Sequence, residues 1–168
     1  DRDLKSETQI ASLQDKKIFC LNVAIYENLF LKKEIIKFVF EQLGWSDFDL
    51  KFSALEADVK TKVLEHSFKL GYIKSKIQQL FNQQIEEIVK NKVPFNPDFS
   101  VYESEISALS VASYDDILKS FNKKSLRGCA IKLGSNWPDW QNQVLNLFNT
   151  DKSDRLRVIF LKFMPEIK

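Results

Sequence analysis

Between Tyr72 and Lys92, the residues Ile73, Ile77, Leu80, Phe81, Ile85, Ile88 and Val89 recur at steps of three and four. That spacing lays one apolar stripe along a helix, and the stripe must be covered by other elements. Pro94 and Pro97 follow and forbid its continuation. "VPFNPDF", residues 93–99, therefore reads as a linker or long turn between two helical halves.

The same reading extends to both sides. Residues 1–17 are polar, with Leu4, Ile10 and Leu13 as their few apolar points, and predict a surface helix or a partly ordered lead-in. Residues 18–168 are expected to form one all-α domain. From Ile18 to Phe30 the chain is apolar on nearly all sides, which predicts a covered helix, with a strand over 18–25 as the competing reading. Residues 32–43 carry Ile35, Ile36, Val39, Phe40 and Leu43 on one face, and Gly44 stands where a left-handed C-cap belongs. Ser46 or Asp47 is positioned to cap the next element. A third helix is expected from Ser53 to Leu70, ending at Gly71.

Beyond the prolines the helices shorten. Ser100 and Ser113 read as N-caps for helices over 101–111 and 114–121, and Ser113 with Asp116 makes an imperfect capping box. A helix over 125–133 ends at Gly134, another begins at Pro138 and runs to Phe148, and a last one is capped by Ser153 or Asp154. Eight to nine short helices joined by tight turns predict an irregular bundle or a HEAT-like α-solenoid segment. Fourteen Phe against four Gly agree with bulky helical cores rather than a turn-rich β fold.

Residues that carry chemistry are sparse. The single histidine, His66, has Lys62, Lys69 and Leu70 at helical spacing, with no acid–base or metal partner in sequence. The doublets Glu86–Glu87 and Asp115–Asp116 point about 100° apart on a helix, which makes a poor acid–base pair. The glycines follow helices rather than open them, so no phosphate-cradling loop is present. Cys20 and Cys129 each sit in an apolar pattern, as free buried thiols of a reducing compartment do, and the expected location is intracellular, cytoplasmic or nuclear. No apolar run reaches the length of a membrane span. No cofactor and no metal are expected, and the chain reads as non-enzymatic.

Two features point to partners. Basic residues gather at Lys119, Lys123, Lys124, Arg127 and Lys132, with Lys152, Arg155 and Arg157 further on. Stacked helices would bring these into a ridge for an acidic protein partner. A net charge of +2 and the lack of interleaved aromatics weigh against nucleic acid. The second feature is tryptophan at helix turns, in "EQLGWSDF" and "KLGSNWPDW". Asn136 can cap, and a residue before proline is pushed to extended backbone. Trp137 is thus expected to pack on the preceding helix, against Ile131 or Leu133. With Pro138 and Trp140 it forms a wedge at the turn, and Trp45 plays the same part in the first half.

Residues 126–167, "LRGCAIKLGSNWPDWQNQVLNLFNTDKSDRLRVIFLKFMPEI", resemble the N-terminal region of exportins and related karyopherins. The resemblance rests on Trp137, Pro138, Trp140, the helix to Phe148 and "MPE" at 164–166. It covers a quarter of the chain. It departs from the family pattern by having one residue, not two, between the proline and the second tryptophan, and residues 1–90 do not share it. It implies a piece of a helical-repeat transport receptor that binds a small GTPase and cargo, with no contact residue to carry over. The residues themselves predict a protein-interaction module or scaffold, or else a compact helical adaptor or inhibitor that blocks a partner.

Overall fold

The computed structural model describes residues 7–16, 26–91, 110–121, 124–151 and 154–164, with single positions between 18 and 24 and at 104, 107 and 108. Among these the fold is all-α, with no strand. In chain order, α1 is Glu7–Asp15, a first 3-10 helix is Tyr26–Leu31, α2 is Lys33–Leu43, α3 is Phe48–Leu64 and α4 is His66–Asn91. There follow α5 (Tyr114–Ser120), α6 (Lys124–Gly128), a second 3-10 helix (Cys129–Leu133), α7 (Trp137–Thr150) and α8 (Arg155–Leu161).

The predicted caps at Gly44 and Gly134 are present. Gly44 adopts φ 65, and its N–H reaches the carbonyls of Glu41 and Phe40 at the end of α2. Gly134 adopts φ 92 at the end of the second 3-10 helix, where a left-handed residue other than glycine would be strained. Ser113 Oγ accepts from the Asp116 N–H at 3.2 Å, and Asn136 Oδ1 accepts from the Asp139 N–H at 3.0 Å, so α5 and α7 start on side-chain caps.

Several boundaries differ from expectation. Residues 18–30 do not form one helix. The described positions between 18 and 24 are irregular, and only Tyr26–Leu31 winds, as a 3-10 helix. Cys20, Val23 and Ala24 are buried, whereas Ile18 is exposed, and the Ala24 N–H donates to the Leu118 carbonyl at 3.0 Å. The third helix begins earlier than expected, at Phe48, and breaks at Glu65 (φ −59, ψ 139) rather than at Gly71. Gly71 lies inside α4, which carries the 72–91 stripe with it. Helix starts also lack two expected caps. Asp47 and Asp154 sit in left-handed conformations with no side-chain cap bond, and the Asp151 carboxylate instead accepts from the Leu156 N–H of α8 at 2.7 Å. The turn at 93–99, Ser100 and Ser153 lie outside the described residues.

One hydrophobic cluster runs from Val23 to Leu156. It gathers Ile35, Ile36 and Val39 of α2, Leu55 and Val59 of α3, Ile117 of α5, Leu126 of α6 and Trp140 and Val144 of α7. α2 packs on α3, α7 and α8 at once, and α3 on α5, α6 and the second 3-10 helix. Elements from the two ends of the chain thus share one core. This closed arrangement is that of a bundle, whereas solenoid repeats touch their sequence neighbours. No helix among the described residues is long and apolar enough to cross a membrane.

Candidate functional site

The polar side chains that reach the interior converge on one short segment, residues 26–32. A 3-10 helix closes few of its own carbonyls, and burying those groups unpaired is costly. Side chains from the second half of the chain supply the donors. Trp140 Nε1 donates to the Phe30 carbonyl at 2.9 Å, and the Tyr114 hydroxyl donates to the Leu31 carbonyl at 2.6 Å. In the other direction, Asn28 Nδ2 donates to the carbonyls of Leu118 and Phe121 at 2.8 and 2.9 Å, closing the C-terminal end of α5. Lys32, 2% exposed, places its ammonium 2.7 Å from Asp115 Oδ1 and over the ring of Phe163. Arg127 pairs with Glu27 and lies over Trp137.

The tryptophans take their places around this segment. Trp140 is fully buried. Trp137 opens α7, the extended residue being Asn136 (φ −67, ψ 166), because the Asn136 cap starts the helix one position before the proline. Its ring is half-buried against Phe30, centroids 6.2 Å apart, and Ile131 is 64% exposed instead of lying beneath it. Pro138 is exposed in the first turn. Trp45 is half-buried, edge-on to Phe40 at 5.3 Å.

The basic residues of the second half are spread among different partners. Lys119 is half-buried in the last turn of α5, where a cation suits the helix dipole. Lys132 faces Asp58 of α3 at 3.8 Å, and Arg155 faces Glu41 of α2 at 3.1 Å while covering the Phe38 ring. Arg127 is committed to Glu27. Arg157 is exposed beside a cleft. Lys124 starts α6, and Lys123 and Lys152 lie outside the described residues.

Two groups that could react, Cys129 and Tyr114, are held in their protonated forms. Burial pushes the Cys129 thiol up to about 12, with a hydrogen bond to Asp58 acting in the same direction. At neutral pH it is a thiol, not the thiolate a nucleophile requires. Burial also holds the Tyr114 hydroxyl well above its ordinary range. Both cysteines are free and buried. His66 is exposed at the start of α4. Asp115 and Asp116 are each engaged, one by Lys32 and one by Ser113, whose hydroxyl lowers the Asp116 carboxyl. Among the described residues no three His, Cys, Asp or Glu gather as a metal site.

Two open clefts are lined by described residues. One, of about 340 Å³, lies where the two glycine turns meet and is lined by Gly44, Trp45, Ser46, Asp47, Lys51, Leu133 and Gly134. The other, of about 390 Å³, lies between α7 and α8 and is lined by Phe148, Asp151, Asp154 and Arg157. Phe148 at the second cleft is exposed, as are Leu145 of α7, Val158 and Leu161 of α8, and Met164. Sequence reasoning missed Asn28, Lys32 and Tyr114. The signal was present for the first two, as polar residues bracketing "LFL" in an otherwise apolar run. Comparison with family models, with curated proteins and with solved structures finds no match to this chain.

Proposed function

We propose that this chain is a non-enzymatic protein-interaction module, a compact helical adaptor that acts inside the cell by presenting its outer helical faces to a partner protein. The observation that carries this reading is a division of labour between side chains. Polar groups capable of chemistry, among them Trp140, Tyr114, Asn28, Lys32 and Cys129, are spent inside the fold. Large apolar side chains such as Leu50 (73% exposed), Ile131 (64%) and Leu161 (56%) are left on the outside. Apolar surface that a fold leaves open in groups is what protein partners use.

The adaptor form is favoured over an extended scaffold by the closed packing of α2 with α7 and α8. The exportin resemblance of residues 126–167 would narrow the partner to a transport cargo or a small GTPase. The test is reciprocal capture from the source cell. A protein retained in comparable molar amount, which when itself tagged retains this chain, is the expected result. A small molecule that raises the thermal midpoint by several degrees, with no protein retained, overturns the reading.

A further inference from the structure

α4 turns two apolar sides in opposite directions. On the inner side Phe68 and Tyr72 are buried against Phe121, with ring centroids 5.3 and 4.9 Å away. At about 100° per residue, Phe81 stands half a turn round the helix from Tyr72. The outer side so defined carries Leu70 at 51% exposure and Phe81 at 46%, with Lys74 and Ile85 exposed and Ile77 half-buried beside them. Residues 70, 74, 77, 81, 84 and 88 of this helix follow one another at alternating steps of four and three, the seam spacing of paired helices.

The order of residues along that seam identifies its occupant. It runs Leu70, Lys74, Ile77, Phe81, Gln84, Ile88, with a polar residue second from each end. The pattern is therefore the same from either end. A second copy laid antiparallel opposes Leu70 to Ile88, Lys74 to Gln84 and Ile77 to Phe81, so that apolar meets apolar and polar meets polar in every layer. Charge selects the same direction. The first half of α4 carries Lys69, Lys74 and Lys76, and the second carries Glu86 and Glu87 ahead of Lys90. Parallel helices would stack Lys74 on its own copy within the seam. Antiparallel helices bring the basic half to the acidic one and set Lys74 toward Glu87.

We propose that α4 is a self-association helix, through which two copies of this chain pair antiparallel about a two-fold axis near residue 79. Each contact then occurs twice, as an isologous interface requires. The proposal stands apart from the interaction-module reading, because a second copy takes this face and partner proteins meet others.

Sedimentation equilibrium of the purified chain over a range of concentrations is the test. The mass should rise from 19.6 kDa toward twice that value. Phe81→Glu and Leu70→Glu, both at exposed positions, should each leave the chain monomeric while circular dichroism shows unchanged helix content. Scattering from the Phe81→Glu variant then gives the dimensions of the single bundle. Lys74→Glu should weaken the dimer about tenfold, because it sets a carboxylate toward Glu87. Adding Gln84→Lys should restore the wild-type affinity, since in an antiparallel pair the two new charges oppose each other. A chain that stays monomeric at every concentration overturns the proposal, as does a dimer that Phe81→Glu and Leu70→Glu both leave intact. A double variant that pairs more weakly than Lys74→Glu alone marks a parallel pair and overturns it too.

Discussion

At the scale of single residues, Trp140 is the most informative side chain. Its indole does two things at once, filling the core and closing the Phe30 carbonyl. Trp140→Phe keeps a ring but leaves that carbonyl buried without a donor, and should lower the unfolding free energy by ~1–3 kcal/mol in urea titration, beyond any cavity effect. Trp137→Phe, at a half-buried ring held by Phe30 and Arg127, should cost less, about 1 kcal/mol. A second residue-level outcome concerns Cys129. With its thiol held near 12 by burial and Asp58, it should resist iodoacetamide at pH 8 in a Cys20→Ser variant and react once denaturant unfolds the chain. The sequence made it legible that tryptophans mark the helix turns, because the residues around them are turn residues. It could not disclose what they face. Phe30 lies more than a hundred positions from Trp137 and Trp140, and no local pattern encodes a partner at that distance.

At the scale of elements, helix ends were legible where backbone chemistry alone decides them. Gly44 and Gly134 take positive φ, and Ser113 and Asn136 cap through their own oxygens. Ends set by packing were not. The break at Glu65 has no glycine or proline beside it, and it lets Phe68 and Tyr72 turn toward Phe121, with ring centroids 5.3 and 4.9 Å away. Likewise Leu70–Gly71 imitates a helix end but lies inside α4, where Ser75 Oγ donates back to the Gly71 carbonyl. The cap of α5 gives a prediction with a pH signature. The Ser113 hydroxyl donates to the Asp116 carboxylate and accepts from its N–H, and it holds the Asp116 carboxyl below its ordinary 3.8. A carboxyl depressed in the folded state contributes stability above its unfolded value and loses it as pH falls through the folded one. Ser113→Ala should therefore cost ~0.5–2 kcal/mol at pH 7, and the difference from wild type should shrink below pH 4 as Asp116 takes up a proton. Unfolding curves at pH 7 and pH 3 measure this, and a gap that stays constant would show that the hydroxyl acts on the backbone alone.

At the scale of the whole molecule, the decisive fact is where the long-range bonds go. Residues 26–32 receive donors from Tyr114 and Trp140 and return them to Leu118 and Phe121, and Glu41 is joined to Arg155. In a solenoid, stability is a sum over neighbouring repeats, so a truncated array keeps its remaining repeats folded. Here residues 1–122 hold the Phe30 carbonyl, which Trp140 beyond them satisfies, and without α7 and α8 the helix α2 keeps only part of its cover, from α3 and the first 3-10 helix. Residues 1–122 expressed alone should thus show no cooperative unfolding transition, while the full chain unfolds in a single step with coincident fluorescence and circular dichroism. Mixing residues 1–122 with residues 123–168 should restore the transition, because Trp140 and the cover of α7 and α8 then return in trans. X-ray scattering gives an independent reading, since a closed bundle of this length has a radius of gyration of about 15 Å. A first half that folds alone, or a markedly larger radius, would mean that nearest-neighbour stacking, and not the stapled 26–32 segment, organises the molecule.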